Sequence, residues 1–143
     1  MAKSITTKND QETKAFAAQI AKSLVGGEVL LLHGDLGSGK TTFTQGLAEG
    51  LGIKKHINSP TFIIMRTYSL PEKKKATNLY HIDLYRTESK SDIEGLGLAE
   101  IIGNKENIVV IEWPEKLGSN IPKKAQSLNF KFINENTREI TRG

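Results

Sequence analysis

One stretch limits what this chain can fold into more than any other: Gly34-Asp35-Leu36-Gly37-Ser38-Gly39-Lys40-Thr41. It sits between the apolar run Val29-Leu30-Leu31-Leu32 and a helical stripe of Phe43, Leu47 and Leu51. The octet fits G-x-x-x-x-G-K-[ST] at every position. Its glycines let the backbone reach positive φ and turn N–H groups inward around a phosphate. Lys40 supplies an ammonium to the β- and γ-phosphates, and the Thr41 hydroxyl is a hard oxygen ligand for Mg²⁺. A helix starting at Lys40 points its positive end at the same anion. With glycine near 7% of residues, a random chain of this length matches by accident about once in 200. The strand before and the helix after make accident rarer still. This is a phosphate-binding loop.

The apolar residues around it are of the buried kind, and the wider composition agrees with a packed domain. Apolar residues make up 37% of the chain, with 13 glycines and a net charge of +4. That combination excludes a disordered tail protein. Cysteine is absent, which excludes a disulfide scaffold, a thiolate metal site and a cysteine nucleophile. No apolar run approaches the ~18–20 residues that span a bilayer. Met1 to Gln11 is polar, with no signal-peptide core. A small cytoplasmic protein of one domain, residues 1–143, is expected, with no membrane partner. Lys54-Lys55, Lys73-Lys74-Lys75 and Lys123-Lys124 carry no interleaved aromatics and read as solvated loops, although together they could lie near an anionic partner.

The remaining pattern is α/β. Asn9 or Asp10 caps a first helix with Glu12 reaching back, and Phe16, Ile20 and Leu24 form its core face before Gly26-Gly27 ends it. Glu28 to His33 is a strand buried on both faces. Strands are expected at Phe62–Tyr68, Asn78–Tyr85 and Ile108–Ile111, and a helical stretch at Ser91–Ile102. Gln126–Ile133 and Arg138–Thr141 suggest a closing hairpin. The predicted fold is therefore a three-layer α/β/α domain of the P-loop NTPase type, with a mostly parallel central sheet and a C-terminal antiparallel hairpin.

A phosphate loop requires an acidic partner, and two acids end strand-like runs. Glu112 follows Ile108-Val109-Val110-Ile111, and Asp83 lies in Leu79-Tyr80-His81-Ile82-Asp83-Leu84-Tyr85, where alternation puts His81, Asp83 and Tyr85 on one face. Either could serve the metal. His33, His56 and His81 show no metal-ligand spacing and read as structural. Guanine specificity is rejected: Asn104-Lys105-Glu106-Asn107 lacks the aspartate of N-K-x-D and precedes a strand, and no apolar strand leads into Asp92-Ile93-Glu94-Gly95. A small-molecule kinase would need a basic lid, yet Arg66, Arg86, Arg138 and Arg142 are scattered. That kinase and a nucleotide-dependent binding module stay open as alternatives to an ATPase.

Four blocks in order resemble the bacterial TsaE (YjeE) family. They are Gly34 to Thr42, Ser59-Pro60-Thr61-Phe62, His81-Ile82-Asp83-Leu84-Tyr85-Arg86 and Ile111-Glu112-Trp113-Pro114. Ser38 stands where the family usually has alanine. The resemblance implies a Mg²⁺-dependent ATPase of tRNA threonylcarbamoyladenosine (t6A) biosynthesis. It implies that Leu36, Gly37, Ser38, Gly39, Lys40, Thr41 and Thr42 hold the ATP phosphates, with Thr41 and Glu112 at Mg²⁺. Asp83 and Lys40 would be catalytic, and Ser59-Pro60-Thr61 would be a switch-like loop placing Thr61 at the γ-phosphate. Asp10, Glu115 and Arg138 would flank the nucleotide, and Trp113 would pack near it. The family also implies that the protein leaves the modification chemistry to the TsaD–TsaB pair, joins that pair, meets tRNA indirectly through it, and resets it by hydrolysing ATP slowly until the partners complete the site.

Overall fold

The structure, a computed structural model, describes residues 3–57, 64–71 and 76–143. Its strands are β1 (Lys3–Thr7), β2 (Val29–His33), β3 (Met65–Ser69), β4 (Asn78–Asp83), β5 (Asn107–Glu112), β6 (Gln126–Phe132) and β7 (Arg138–Arg142). They join in one seven-stranded sheet of order β1-β7-β6-β2-β5-β4-β3. The inner strands β6, β2, β5 and β4 run parallel, and antiparallel neighbours close each side. The parallel centre and the β6–β7 hairpin match the expected fold class.

Helices α1 (Asp10–Ala21) and α2 (Lys40–Gly50) cover one face, and the short α3 (Lys90–Glu94) and α4 (Leu98–Ile102) cover the other. Strand β2 shows why the chain reads as an unbroken apolar run there. Leu30 and Leu32 enter the α1/α2 core, while Val29 and Leu31 enter the opposite one. The first helix starts as its sequence predicts: Glu12 N–H donates to Asn9 Oδ1 at 2.8 Å, and Glu12 Oε1 accepts from Lys8 N–H at 3.1 Å. Phe43 is fully buried between the rings of Phe16 and Phe130, with centroids at 6.2 and 5.4 Å. This seats α2 firmly under the phosphate loop.

Three elements differ from the sequence expectation. The single helical stretch at 91–102 is two helices, because Gly97 takes a left-handed backbone at φ 68°. The polar Lys3–Thr7 segment is an edge strand, paired through Lys3↔Arg142 to Thr7↔Arg138. Pro114–Asn120 forms 3₁₀ turns after β5. Ser59-Pro60-Thr61-Phe62 and Lys73-Lys74-Lys75 lie outside the described residues. Among those described, no helix is long and apolar enough to cross a membrane.

Candidate functional site

Parallel pairing brings the C-terminal ends of β2, β4 and β5 to one edge of the sheet, where ligands of open α/β sheets bind. Strand β2 ends there in the phosphate loop. Asp83 at the end of β4 is in register with Glu112 at the end of β5, so both acids face the start of α2.

The loop is shaped to receive an anion. A Cβ on Gly34 would lie 2.6 Å from Ser38 Oγ and 2.7 Å from the Phe130 carbonyl oxygen, so only glycine lets the loop close against β6. At Gly37 (φ 76°) a Cβ would meet nothing within 4 Å, which leaves the tip of the loop open to a ligand. Gly39 caps α2 without a side-chain hydrogen bond. The N–H groups of the first turn, at Lys40, Thr41 and Thr42, therefore keep the anion-binding capacity that helix N-termini offer.

Lys40 is buried, donates from Nζ to the Gly34 carbonyl oxygen, and rests 4.0 Å above the centre of the Trp113 ring. Burial holds this ammonium below the ordinary lysine value, against the opposing pull of Glu112, Asp83, Glu115 and Asp35. Trp113 has a left-handed backbone at φ 58°, unusual without glycine, at a cost of ~1–3 kcal/mol. Its ring is held by Tyr85, with centroids 5.0 Å apart.

The two acids sit differently. Burial pushes the Asp83 carboxyl above the ordinary aspartate value, although the Tyr85 N–H donating to its Oδ1 at 3.0 Å partly offsets this, and Glu112 adds to the rise. Glu112 is buried, and its Oε2 is bonded to Nε2 of His81 at 2.5 Å.

A cavity of about 350 Å³ opens over these groups. Leu36, Gly37, Gly39, Lys40, Thr41 and Thr42 form its floor, and Asp83, Glu112 and Trp113 form one wall. Asp10 from the start of α1 and Arg138 from the start of β7 complete it. Ser38 and Glu115 are not in its lining: the Ser38 side chain is buried against Gly34, and Glu115 acts on Lys40 through its charge. Thr61 falls outside the described residues. Arg138 is fixed in place: its Nη1 donates to the carbonyls of Asn134 and Thr137, and its guanidinium lies 4.7 Å above the Phe132 ring.

Glu135, in the β6–β7 turn, also lines the cavity and was missed by sequence reasoning. Its only sequence signal is an Asn-flanked polar turn, in which Asn134 Oδ1 accepts from the N–H groups of Asn136 and Thr137 at 3.1 and 2.9 Å. Nothing in that turn points to a phosphate loop far away along the chain.

The donors fit a nucleotide with Mg²⁺. An open loop tip, uncapped first-turn N–H groups and a desolvated ammonium suit a polyphosphate. Among the described residues no group of three or more His, Cys, Asp or Glu side chains is placed to enclose a metal. Mg²⁺ needs no such cage, because it keeps waters and phosphate oxygens and takes one or two protein oxygens. Thr41 and Glu112 can supply these.

Comparison with known proteins agrees with this geometry. A family model described as "Threonylcarbamoyl adenosine biosynthesis protein TsaE" matches residues 7–140. A Bacillus subtilis (strain 168) protein named tRNA threonylcarbamoyladenosine biosynthesis protein TsaE is 43% identical, covering 94% of this chain and 81% of its own. Proteins of the same name from Borreliella burgdorferi and Treponema pallidum are 39% and 34% identical, covering 88% and 94% of this chain and 89% and 96% of their own. The crystal structure of Bacillus subtilis YdiB superposes with a TM-score of 0.79 at 34% identity, covering 99% of this chain and 84% of that one. A family match running from the end of β1 into β7, over a sheet that superposes on a solved relative, means that this chain belongs to the TsaE family.

Proposed function

We propose that this chain is a Mg²⁺-dependent ATPase that binds the TsaD–TsaB pair and uses ATP hydrolysis to reset it during formation of threonylcarbamoyladenosine in tRNA. It would act in the cytoplasm as one domain spanning residues 1–143. The observation that supports this most is the meeting of Lys40, Thr41, Asp83 and Glu112 at one cavity, on strands set side by side. The names borne by its relatives support the tRNA-modification setting.

Each residue has a task. The first-turn N–H groups of Lys40, Thr41 and Thr42 and the backbone of Leu36 to Gly39 bind the phosphates. Lys40 leaves the Gly34 carbonyl and the Trp113 face to meet the β- and γ-phosphate oxygens. The Thr41 hydroxyl and the Glu112 carboxylate hold Mg²⁺, which when bound neutralises charge on those oxygens. Asp83 orients the attacking water or takes its proton, and its raised pKa makes it a better base than an ordinary aspartate. The family resemblance assigns Thr61 to the γ-phosphate. Asp10 and Arg138 flank the nucleotide, and Glu115 acts on Lys40 through its charge.

The test is phosphate release from ATP, with and without the TsaD–TsaB pair. Slow release alone and faster release with the pair is expected. Lys40→Ala should reduce turnover by about 10²-fold, the usual scale for losing one preorganised charge donor. Normal turnover in that variant overturns the reading, as does tight GTP binding with ATP ignored.

A further inference from the structure

The sequence treats His81 as structural, yet its ring nitrogen is the sole hydrogen-bond partner of the Glu112 carboxylate among the described residues. We propose that His81 is a positioning residue that clamps Oε2 of Glu112 and so presents Oε1 to the magnesium position in the cavity. The inference rests on the reading of Glu112 as the metal-side carboxylate.

The register of the sheet produces the contact. His81 pairs with Val110, and Asp83 pairs with Glu112. His81 and Glu112 are thus diagonal neighbours on the same face of adjacent parallel strands. Both side chains are buried, the His81 ring fully, and Glu112 also reaches the wall of the cavity. A carboxylate can only accept, so the ring donates from Nε2. Its Nδ1 is buried with no partner among the described residues, which agrees with Nε2 as the nitrogen that carries the proton. One oxygen of Glu112 is thereby fixed and the other directed. A carboxylate without this clamp could rotate about its last torsion, which is soft. Hydrogen bonds to ligating carboxylates orient them, and losing such a partner costs 10–100-fold in metal affinity as a rule. The phosphate loop itself makes no demand for a histidine here, and the ring fills its space in the core whatever it bonds to. The useful contrast is therefore between losing the ring and losing the Nε2 donor.

That contrast can be measured on the full chain with His81→Gln, His81→Asn and His81→Leu. A glutamine amide reaches the place of Nε2, an asparagine amide reaches only that of Nδ1, and leucine has no donor. The readout is the gain in ATP affinity on adding Mg²⁺, from titrations in EDTA and in Mg²⁺, with the melting temperature of the nucleotide-free protein alongside. His81→Asn and His81→Leu should lose ~10–100-fold of that gain while keeping their affinity in EDTA. His81→Gln should stay within about threefold of the parent chain, because it restores the donor. If His81→Leu does not fold, the Gln and Asn pair carries the comparison. A full Mg²⁺ gain in every folded variant overturns the inference, and so does a loss in His81→Gln equal to that in His81→Asn. Glu112→Gln separates the two levels. If it keeps the Mg²⁺ gain, the metal reading fails and the inference with it; if it loses the gain while His81→Asn keeps it, the inference alone fails.

Discussion

On one face of the sheet, α1 and α2 lie so close that a Cβ at Gly46 would come within 2.5 Å of Lys14 Cα, and one at Gly50 within 2.9 Å of Ala18 Cα. On the other face, two helices of five residues and a run of 3₁₀ turns leave a largely apolar hollow of about 420 Å³ between Ile93, Leu98, Ile102 and Leu117. The close-packed face also carries the candidate site. His81, Asp83 and Glu112 share it with Val110, and α2 springs from the phosphate loop. The close approach of α1 and α2 lies directly behind the phosphate loop, while the opposite layer covers the sheet and supports Trp113.

Three substitutions probe that contrast. Phe43→Ala removes a fully buried ring from between Phe16 and Phe130 and should cost about 3–5 kcal/mol in chemical denaturation. Gly46→Ala forces a methyl against the α1 backbone and should cost about 1–3 kcal/mol by overpacking, while also weakening ATP binding because α2 must shift. On the thin face, Ser89→Ala removes the cap that accepts from Asp92 N–H. It should cost only about 1 kcal/mol and leave ATP affinity unchanged. If Ser89→Ala destabilises as much as Phe43→Ala, the two faces are not different in kind. The same cap has an acid signature. The Glu88 and Ser89 N–H groups hold Asp92 below the ordinary carboxylate value. Its contribution is therefore present above the unfolded aspartate pKa and is lost as pH falls through the lower folded one.

The features legible in the sequence are those written in neighbouring residues. The phosphate loop, the double-faced run Val29–Leu32 and the Asn9 cap are each complete within a few positions. Asp83 and Glu112 were legible as candidates because each ends a strand-like run, but their side-by-side register depends on β4 and β5 being sheet neighbours. The bond from His81 to Glu112 spans 31 positions and leaves no local trace. Strand β1 was hidden for another reason. Its residues Lys3 to Thr6 are exposed, so it lacks the apolar pattern of a buried strand and forms because β7 offers an edge. Gly95 and Gly97 were visible, but the break between α3 and α4 depends on Gly97 taking a left-handed backbone, which the residue type permits without requiring.

Lys40 rests over the ring of the chain's one tryptophan, and this has an optical consequence. All indole fluorescence of the protein originates at the wall of the candidate cavity, beneath a cation that the proposed function moves onto the phosphates. Its emission should therefore change as ATP binds, with no label attached. In Lys40→Ala the emission of the free protein should already be altered and should respond less to nucleotide. Constant emission through an ATP titration that calorimetry shows to be saturating would mean that the ammonium stays on the ring in the bound state. A change in step with the binding isotherm makes Trp113 a built-in gauge of where Lys40 is.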